Sequence, residues 1–311
     1  MKYIGIDVGG TNLVATKVNE SGEILNKISI PGNRSASAEQ LCADLVCLAQ
    51  QVTKEDEIDA VGIGFPGLVD NQSGIVVQTP NMPFSNTPFC ELFQKQWNVP
   101  VYMGNDANCA AIGEYWAGAA KDRETAMMIT LGTGIGGGLV IGGKLYAGFA
   151  GGGMEVGHMV IDPNGPTCGC GRKGCFEQFA SATALIRSAK EQMREVSKSL
   201  LWDECDGQVE LLQGVHVFRA AKNGDSTALK VLDTYINYLA MGLANLINIL
   251  QPEIICLGGG ISNAQDELFL NPLREHTKKY VFDKAAALCL ERATLGNDAG
   301  LVGAAMLCRS L

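Results

Sequence analysis

The sequence predicts an α/β fold, and three observations predict it. Short apolar runs with strand character alternate with stretches of helical spacing along the chain. A strand–glycine turn–strand unit occurs twice, in "IGIDVGGTNLVATKV" and in "ITLGTGIGGGLVIGG". The length of 311 residues is enough for two cores at about 150 residues per domain. The repeat and the length agree on two domains, with no Pro- or Ser-rich linker to separate them.

In order, "KYIGIDVGGTNLVATKVNESGEILNKISI" reads as strand, glycine turn, strand, hairpin turn at Glu20-Ser21-Gly22-Glu23, strand. Residues 37–52 carry helical spacing at Leu41, Leu45 and Leu48 behind Ser37 as a candidate N-cap. "AVGIGFPG" is a buried strand running into a turn. "VPVYMGNDANCAAIGEYWAG" is a strand followed directly by a helix, with Asn105 and Asp106 at the junction. "TAMMITLGTGIGGGLVIGGKLYAG" repeats the opening pattern, with its hairpin at Gly142-Gly143. A cysteine-rich segment follows, and then an alanine-rich helix from about Ser181.

The strongest helix lies in "DSTALKVLDTYINYLAMGLANLINILQPE". There Ile236, Leu239, Ala240, Leu243, Leu246, Ile247 and Leu250 share one face, Asp225 can cap the start and Pro252 stops the end. "EIICLGGGIS" is a buried strand and another glycine loop, with Ser262 placed to cap a further helix. "DAGLVGAAMLCRSL" closes the chain as a helix of small residues.

Composition removes several classes of function. A net charge of -9 and a pI near 4.9 argue against a general binder of nucleic acid or anionic membrane. No apolar run approaches the roughly 18 residues of a membrane span, and "MKYIGID" has no signal-peptide layout. Eleven cysteines is an odd number in a chain too long to need disulfide staples, which points to a reducing cytoplasm. Cys42 and Cys47 sit in an apolar helical stretch as small buried hydrophobes, whereas clustered cysteines read as metal ligands. Trp97, Trp116 and Trp202 read as core residues.

Glycine, 38 residues, is at roughly double its usual share and falls in clusters after strands. The turns at Asp7–Asn12, Leu131–Gly138 and Gly258–Ser262 would let backbone N–H groups point at phosphate oxygens. No G-x-x-x-x-G-K-[ST] occurs. Gly132, Gly134 and Gly137 fit G-x-G-x-x-G, but a hairpin follows where a dinucleotide fold needs a helix. What remains is a pair of hairpins that could hold the β- and γ-phosphates of ATP, with Asp7 near magnesium or serving only as a turn former.

"GHMVIDPNGPTCGCGRKGCFEQ", residues 157–178, is nearly free of apolar periodicity. Cys168, Cys170 and Cys175, with His158 ten residues earlier, supply three thiolates and one imidazole, a closed tetrahedral zinc shell. If one nitrogen of His158 binds zinc, the other is fixed in direction and can face a sugar hydroxyl. Asp106 lies where a strand ends and a helix begins. It could be a catalytic base, held ionised by the helix N-terminus, or simply the N-cap.

At these residues the chain resembles the ROK family of sugar kinases, within the hexokinase–actin–Hsp70 superfamily. "DVGGTN" and "LGTGIGGG" match its phosphate motifs. "GNDANCAA", "EVGHM" and "CGCGRKGCFE" match its sugar and zinc signatures, and "GGGIS" is similar to its adenosine turn. The likeness runs from residue 4 to the C-terminus, and "GCFEQFASATA" resembles the glucokinase branch. Met154 departs from it, because the family often has glycine before the glutamate. The family's repressors carry an N-terminal helix-turn-helix for which this chain has no room.

The resemblance implies two ribonuclease-H-like domains with a cleft between them, the actin-like ATPase fold. Residues 1–118 plus 298–311 would form the N-terminal domain, and residues 119–297 the zinc-carrying one. It implies an ATP:hexose 6-phosphotransferase, with Asp106 as base. Gly67, Asn105, Asp106, Glu155, His158 and Glu177 would contact the sugar. Asp7, Gly9, Gly10, Thr11, Asn12, Thr133, Gly134, Gly258, Gly259 and Gly260 would hold Mg2+ and ATP. His158, Cys168, Cys170 and Cys175 would bind structural Zn2+. Glucose is the expected sugar, with N-acetylmannosamine, fructose or allose, or a non-catalytic sugar sensor, as alternatives. A cytoplasmic homodimer or homotetramer without nucleic-acid or membrane partners is expected.

Overall fold

Residues 1–9, 11–54, 56–79 and 82–311 are described by the computed structural model. The chain opens as β1 (Lys2–Val8), β2 (Asn12–Asn19), β3 (Ile24–Pro31), α1 (Ala38–Thr53), β4 (Ala60–Phe65), β5 (Leu68–Asp70), β6 (Ile75–Gln78), β7 (Ser85–Thr87), α2 (Phe89–Gln96), β8 (Val101–Asn105) and α3 (Asp106–Ala117). It continues through β9 (Thr125–Leu131), β10 (Ile135–Ile141), β11 (Lys144–Leu145), α4 (Glu177–Ala180), α5 (Ala182–Glu195), α6 (Leu200–Glu204), α7 (Gly214–Lys222) and α8 (Ser226–Leu250). It ends with β12 (Ile254–Gly258), α9 (Leu270–Thr277), β13 (Leu290–Arg292), α10 (Ala299–Ala305) and α11 (Leu307–Ser310).

The two glycine-turn units build two sheets of the same order. One runs β3-β2-β1-β4-β8 and the other β11-β10-β9-β12-β13, each a set of hairpins continued by later strands. In the first, β1 pairs antiparallel with β2 and parallel with β4, and β4 pairs parallel with β8. Asp7 is therefore opposite Gly64, and Phe65 opposite Asn105, which aligns the carboxyl ends of the parallel strands. Open α/β sheets place ligand chemistry at such ends.

By its contacts the chain divides into residues 1–128, 137–154 and 293–311, and residues 129–136 and 155–292. The contacts thus keep 119–128, 137–154 and 293–297 with the first unit, where the sequence reading gave them to the second. A strand passing from one compact unit to the other carries no compositional mark at the crossing.

The core of the first unit packs Ile4, Ile6, Ile63 and Phe65 of its sheet against Leu45 and Leu48 of α1 and against Phe89 and Phe93 of α2. On the sheet's other side α10 approaches closely. A Cβ on Gly62 would lie 1.7 Å from the Ala304 carbonyl oxygen, so only glycine admits this contact. In the second unit α8 buries Ile236, Leu239, Ala240, Leu243, Leu246 and Ile247 as its spacing predicts, and Val231 and Leu232 besides, but Leu250 is exposed, because the last turn of the helix runs past the core.

Ser37, Ser181 and Asp225 cap α1, α5 and α8 through side-chain bonds to backbone N–H groups. Gln251 takes the left-handed conformation that ends α8, one residue before Pro252. Ser262 caps no helix. Its hydroxyl donates to the Gly259 carbonyl at 2.8 Å within a 3-10 turn, and the next α-helix begins at Leu270. The closing helix is two helices, broken at Met306. Cys42 is buried as expected but Cys47 is exposed, because a helix in contact with the core on one side turns the neighbouring positions to water. None of the described helices is long and apolar enough to cross a membrane.

Candidate active site

The first unit gathers Asp7, Gly9, Thr11, Asn12, Gly67, Asn105 and Asp106 at the carboxyl ends of β1, β4 and β8 and in the turns that follow. Gly9 closes the first glycine turn, its N–H donating to the Asn12 carbonyl at 3.0 Å, with no room for a Cβ against that oxygen at 2.7 Å. Gly10 lies outside the described residues. Gly67 has φ of 102°, which a side chain would strain, so the turn after β4 needs glycine.

Asn105, not Asp106, is the N-cap of α3. Its Oδ1 accepts from the Asn108 N–H at 2.8 Å, which commits the oxygen to the helix and leaves the Nδ2 amide for another acceptor. Asp106 is the first residue of the helix, and its Oδ1 accepts from the Ala107 N–H at 2.8 Å. The sequence reading expected the helix N-terminus to hold Asp106 ionised. The opposite term wins: partial desolvation raises its pKa more than the backbone N–H groups lower it. Asp106 has an exposed surface, so the protein crowding its carboxyl does not exclude water, and water tempers the energy of that shift. Asp7 is also raised, first by burial and then by the Asp106 charge, so the carboxylates sense each other. Such a pair favours a cation between or beside the acids.

In the second unit the candidate metal ligands converge. His158 Nδ1, Cys168 Sγ, Cys170 Sγ and Cys175 Sγ all lie within 4.8 Å of one another. His158 Nδ1 is 3.7 Å from Cys168 Sγ, and Cys170 Sγ is 3.5 Å from Cys175 Sγ. Zinc–sulfur bonds of about 2.3 Å in a tetrahedron put sulfurs roughly 3.8 Å apart, so this donor set fits a zinc ion. Cys170 is drawn down to about 6 by the backbone N–H and side chain of Arg172, whereas burial holds the thiols of Cys168 and Cys175 up. Ligation through Nδ1 would leave His158 Nε2 unused.

The fold here is set by turns. Val160 and Cys175 form an isolated antiparallel bridge, as do Thr167 and Lys173, and Gly174 is buried against the Asp162 carbonyl. Glu177 opens α4 and accepts from Cys168 Sγ at 3.0 Å. Glu155 is exposed, immediately before the 3-10 turn that carries His158. Met154, in the first unit, has φ of 66°, which explains why glycine suits this position and shows that the methionine is carried with strain.

Thr133 is exposed at the second glycine turn and Gly134 is half-buried, while Gly258 ends β12 and Gly259 and Gly260 are exposed. Beside Gly260 lies a cavity of about 320 Å³, lined by Ala182, Gln213, Gly214, Phe218, Ile261 and others. Sequence reasoning missed the α7 side of this slot. Gly214 and Phe218 carry no motif, and only the fold brings them to the glycine turn. A cavity of about 680 Å³ lies elsewhere in the first unit, and none of the site residues lines it.

A model of the ROK family matches residues 3–310. The glucokinase of Thermotoga maritima is 38% identical over 309 residues, covering 99% of this chain and 97% of that protein. A xylose repressor of Caldicellulosiruptor bescii is 32% identical over 279 residues, 88% of this chain and 69% of the repressor. Among solved structures, a ROK family glucokinase from Streptomyces griseus in complex with glucose and AMPPNP superposes with a TM-score of 0.82 at 36% identity, covering 99% of both chains.

Proposed function

The chain belongs to the ROK family, and from that premise we propose that it is an ATP-dependent hexose kinase, a glucokinase that phosphorylates the 6-hydroxyl of glucose. It has the actin-like ATPase fold of the family's sugar kinases. The observation that carries the reading is the end-to-end match to a glucokinase, 99% of this chain and 97% of that one, with every motif of the chemistry inside it.

In this reading Asp106 orients the attacking hydroxyl and takes its proton late, as suits a loose phosphoryl-transfer transition state. A carboxyl with its pKa raised is a better base than a free one, and its half-open setting keeps it reachable. Asn105 offers its Nδ2 to a neighbouring hydroxyl, Gly67 lets backbone meet sugar closely, and Glu155, His158 and Glu177 present the remaining polar groups. The turns at Gly9–Asn12 and Thr133–Gly134 hold the phosphates. The slot beside Gly260 takes the base, with Phe218 as its apolar wall. Magnesium, held by Asp7, neutralises phosphate charge when bound. The cysteine cluster holds zinc as a structural ion. The working protein is a cytoplasmic homodimer or homotetramer with two domains.

A panel of hexoses at fixed ATP, read by ADP release and by detection of the sugar 6-phosphate, tests the assignment. Fastest turnover of glucose is expected; preference for N-acetylmannosamine, fructose or allose reassigns the sugar. The repressor match supplies the second reading, a sugar sensor, and sugar binding without any phosphorylated product would establish it.

A further inference from the structure

The metal-binding segment touches the second phosphate turn at three places, all within the second unit. Gly157, the neighbour of His158, packs beneath the turn: a Cβ there would lie 2.2 Å from the Ile135 carbonyl oxygen. Glu177 has one oxygen on each side. Its Oε1 lies 3.0 Å from Cys168 Sγ and 3.8 Å from His158 Nδ1, against two of the four cluster atoms. Its Oε2 sits where a Cβ on Gly134 would be 2.5 Å away. The Ala182 N–H, at the start of α5, donates to the Gly132 carbonyl at 2.9 Å. Gly132, Gly134 and Ile135 are thus seated against residues 157–182, while Thr133 between them is exposed.

Two of these three contacts are backbone to backbone, so a rotamer change cannot absorb a shift of the segment. The coupling reaches further, because Gly259 of the third turn rests on Leu131, with only 2.3 Å between a hypothetical Cβ and that carbonyl oxygen. The segment has little core of its own to hold it still. Between Val160 and Gly174 only Cys168 and Gly174 are buried. Backbone bonds such as Ile161 N–H to the Gly174 carbonyl at 2.9 Å and Cys168 N–H to the Arg172 carbonyl at 2.7 Å brace it, and the cluster adds the cross-link between its two ends.

Resting on the kinase reading above, we infer that the three cysteines and His158 set the backbone of the second phosphate turn through Gly157, Glu177 and Ala182, so that metal occupancy governs nucleotide affinity directly, with no sugar present. Glu177 is here a positioning residue as well as a sugar contact. Zinc loss weakens the nucleotide by misplacing Gly132 and Gly134, independently of any damage to the sugar wall.

Linkage supplies a test that needs no metal-free protein. If zinc tightens nucleotide, nucleotide must tighten zinc by the same factor, typically about 5- to 150-fold for coupled sites. The full zinc-loaded chain is titrated with a chromogenic zinc chelator, with and without a saturating non-hydrolysable ATP analogue and without sugar. The expected result is zinc held about tenfold more tightly with nucleotide. Unchanged zinc retention at saturating analogue overturns the inference. Zinc-loaded protein that fails to bind the analogue at all sinks the kinase reading instead. In Glu177→Gln the zinc content is expected to persist while the coupling falls severalfold; a Glu177 that serves only the sugar leaves the coupling intact, and that result also counts against the inference.

Discussion

Asp106→Asn is expected to separate chemistry from architecture. The amide is isosteric, and its Oδ1 keeps the bond from the Ala107 N–H, 2.8 Å in the native protein. The helix keeps its cap, because Asn105 provides it. Losing an anion from the first turn of α3 costs about 0.3–1 kcal/mol. Against this, the substitution relieves the partial desolvation of the carboxyl and its repulsion with Asp7. Water at Asp106 discounts that relief, so the opposing terms nearly cancel and the melting temperature should move by no more than about 2–4 °C, the equivalent of roughly 1 kcal/mol. Turnover has no such compensation. Loss of a positioned base costs about 10²–10⁴-fold, or roughly 3–5.5 kcal/mol of barrier.

Calorimetry with glucose, a coupled ADP-release assay and thermal melting are run on one preparation. Near-normal turnover refutes the base assignment. A large drop in melting temperature shows that Asp106 serves the fold and that its loss of activity means nothing about chemistry. The pH dependence carries its own sign. Protonation of a base whose pKa is raised removes activity as pH falls, beginning above the ordinary carboxylate range. For stability, a raised acid favours the folded state fully below its unfolded value near 3.8, and that contribution is lost as pH rises through the folded value. Asp106→Asn removes both dependences, and it lowers the pKa of Asp7, which carbon-detected titration of the carboxyl would read.

Cys175→Ser removes a buried member of the metal cluster; zinc content should fall to background, and the segment 157–178 should become protease-sensitive. Retained zinc would disprove the four-ligand shell. Glu114→Ala should destabilise the first unit by about 3–5 kcal/mol, since this 1% exposed carboxylate accepts from the N–H groups of Ala119, Thr294 and Leu295 and from the Thr294 hydroxyl. Denaturant unfolding measures it, and a change below 1 kcal/mol would mean that water replaces those bonds. Met154→Gly should relieve strain of about 1–3 kcal/mol at φ of 66° while loosening the loop by about 0.5–1. A small net stabilisation is expected in the same assay, and a loss above 1 kcal/mol would contradict the strain.

Much of the site was legible because it is local. The four residues of the cluster lie within one turn-rich segment, so spacing alone grouped them, and the structure brings their donor atoms within 4.8 Å of one another. Ser37 and Asp225 could be read as caps because each precedes an unbroken helical period, and Ser181, read only as the start of its helix, caps α5 as well. Non-local features were hidden. The three-stranded sheet of β5, β6 and β7 was not anticipated, since its strands are short and β7 reads Ser-Asn-Thr, a turn composition in which Asn86 keeps a left-handed φ of 47° while Ser85 and Thr87 pair with β6. At the end of β8, Asn105 and Asp106 are both good caps by type. Which one caps depends on where β8 stops, a one-residue question settled by its pairing with β4. The sign of the Asp106 shift depends on how far the folded protein desolvates the carboxyl, which residue type and position do not reveal.

The glycine excess shows how one residue type carried two messages. Gly132 and Gly260 have no atom within 4 Å of where a Cβ would be, which is the open space a phosphate or ribose requires at a turn. Gly5, Gly62, Gly113 and Gly303 are the opposite case: a Cβ on any of them would lie 2.2 Å or less from a carbonyl oxygen across the contacts of α10 with β1, β4 and α3. The sequence reading assigned the glycine clusters to ligand binding, yet isolated glycines do as much for the fold, because they let α10 lie against the sheet whose strand ends carry Asp7 and Asp106. Close packing beneath those ends fixes their backbone, and a fixed backbone is what the base proposed at Asp106 needs to meet one hydroxyl of a sugar rather than bulk water.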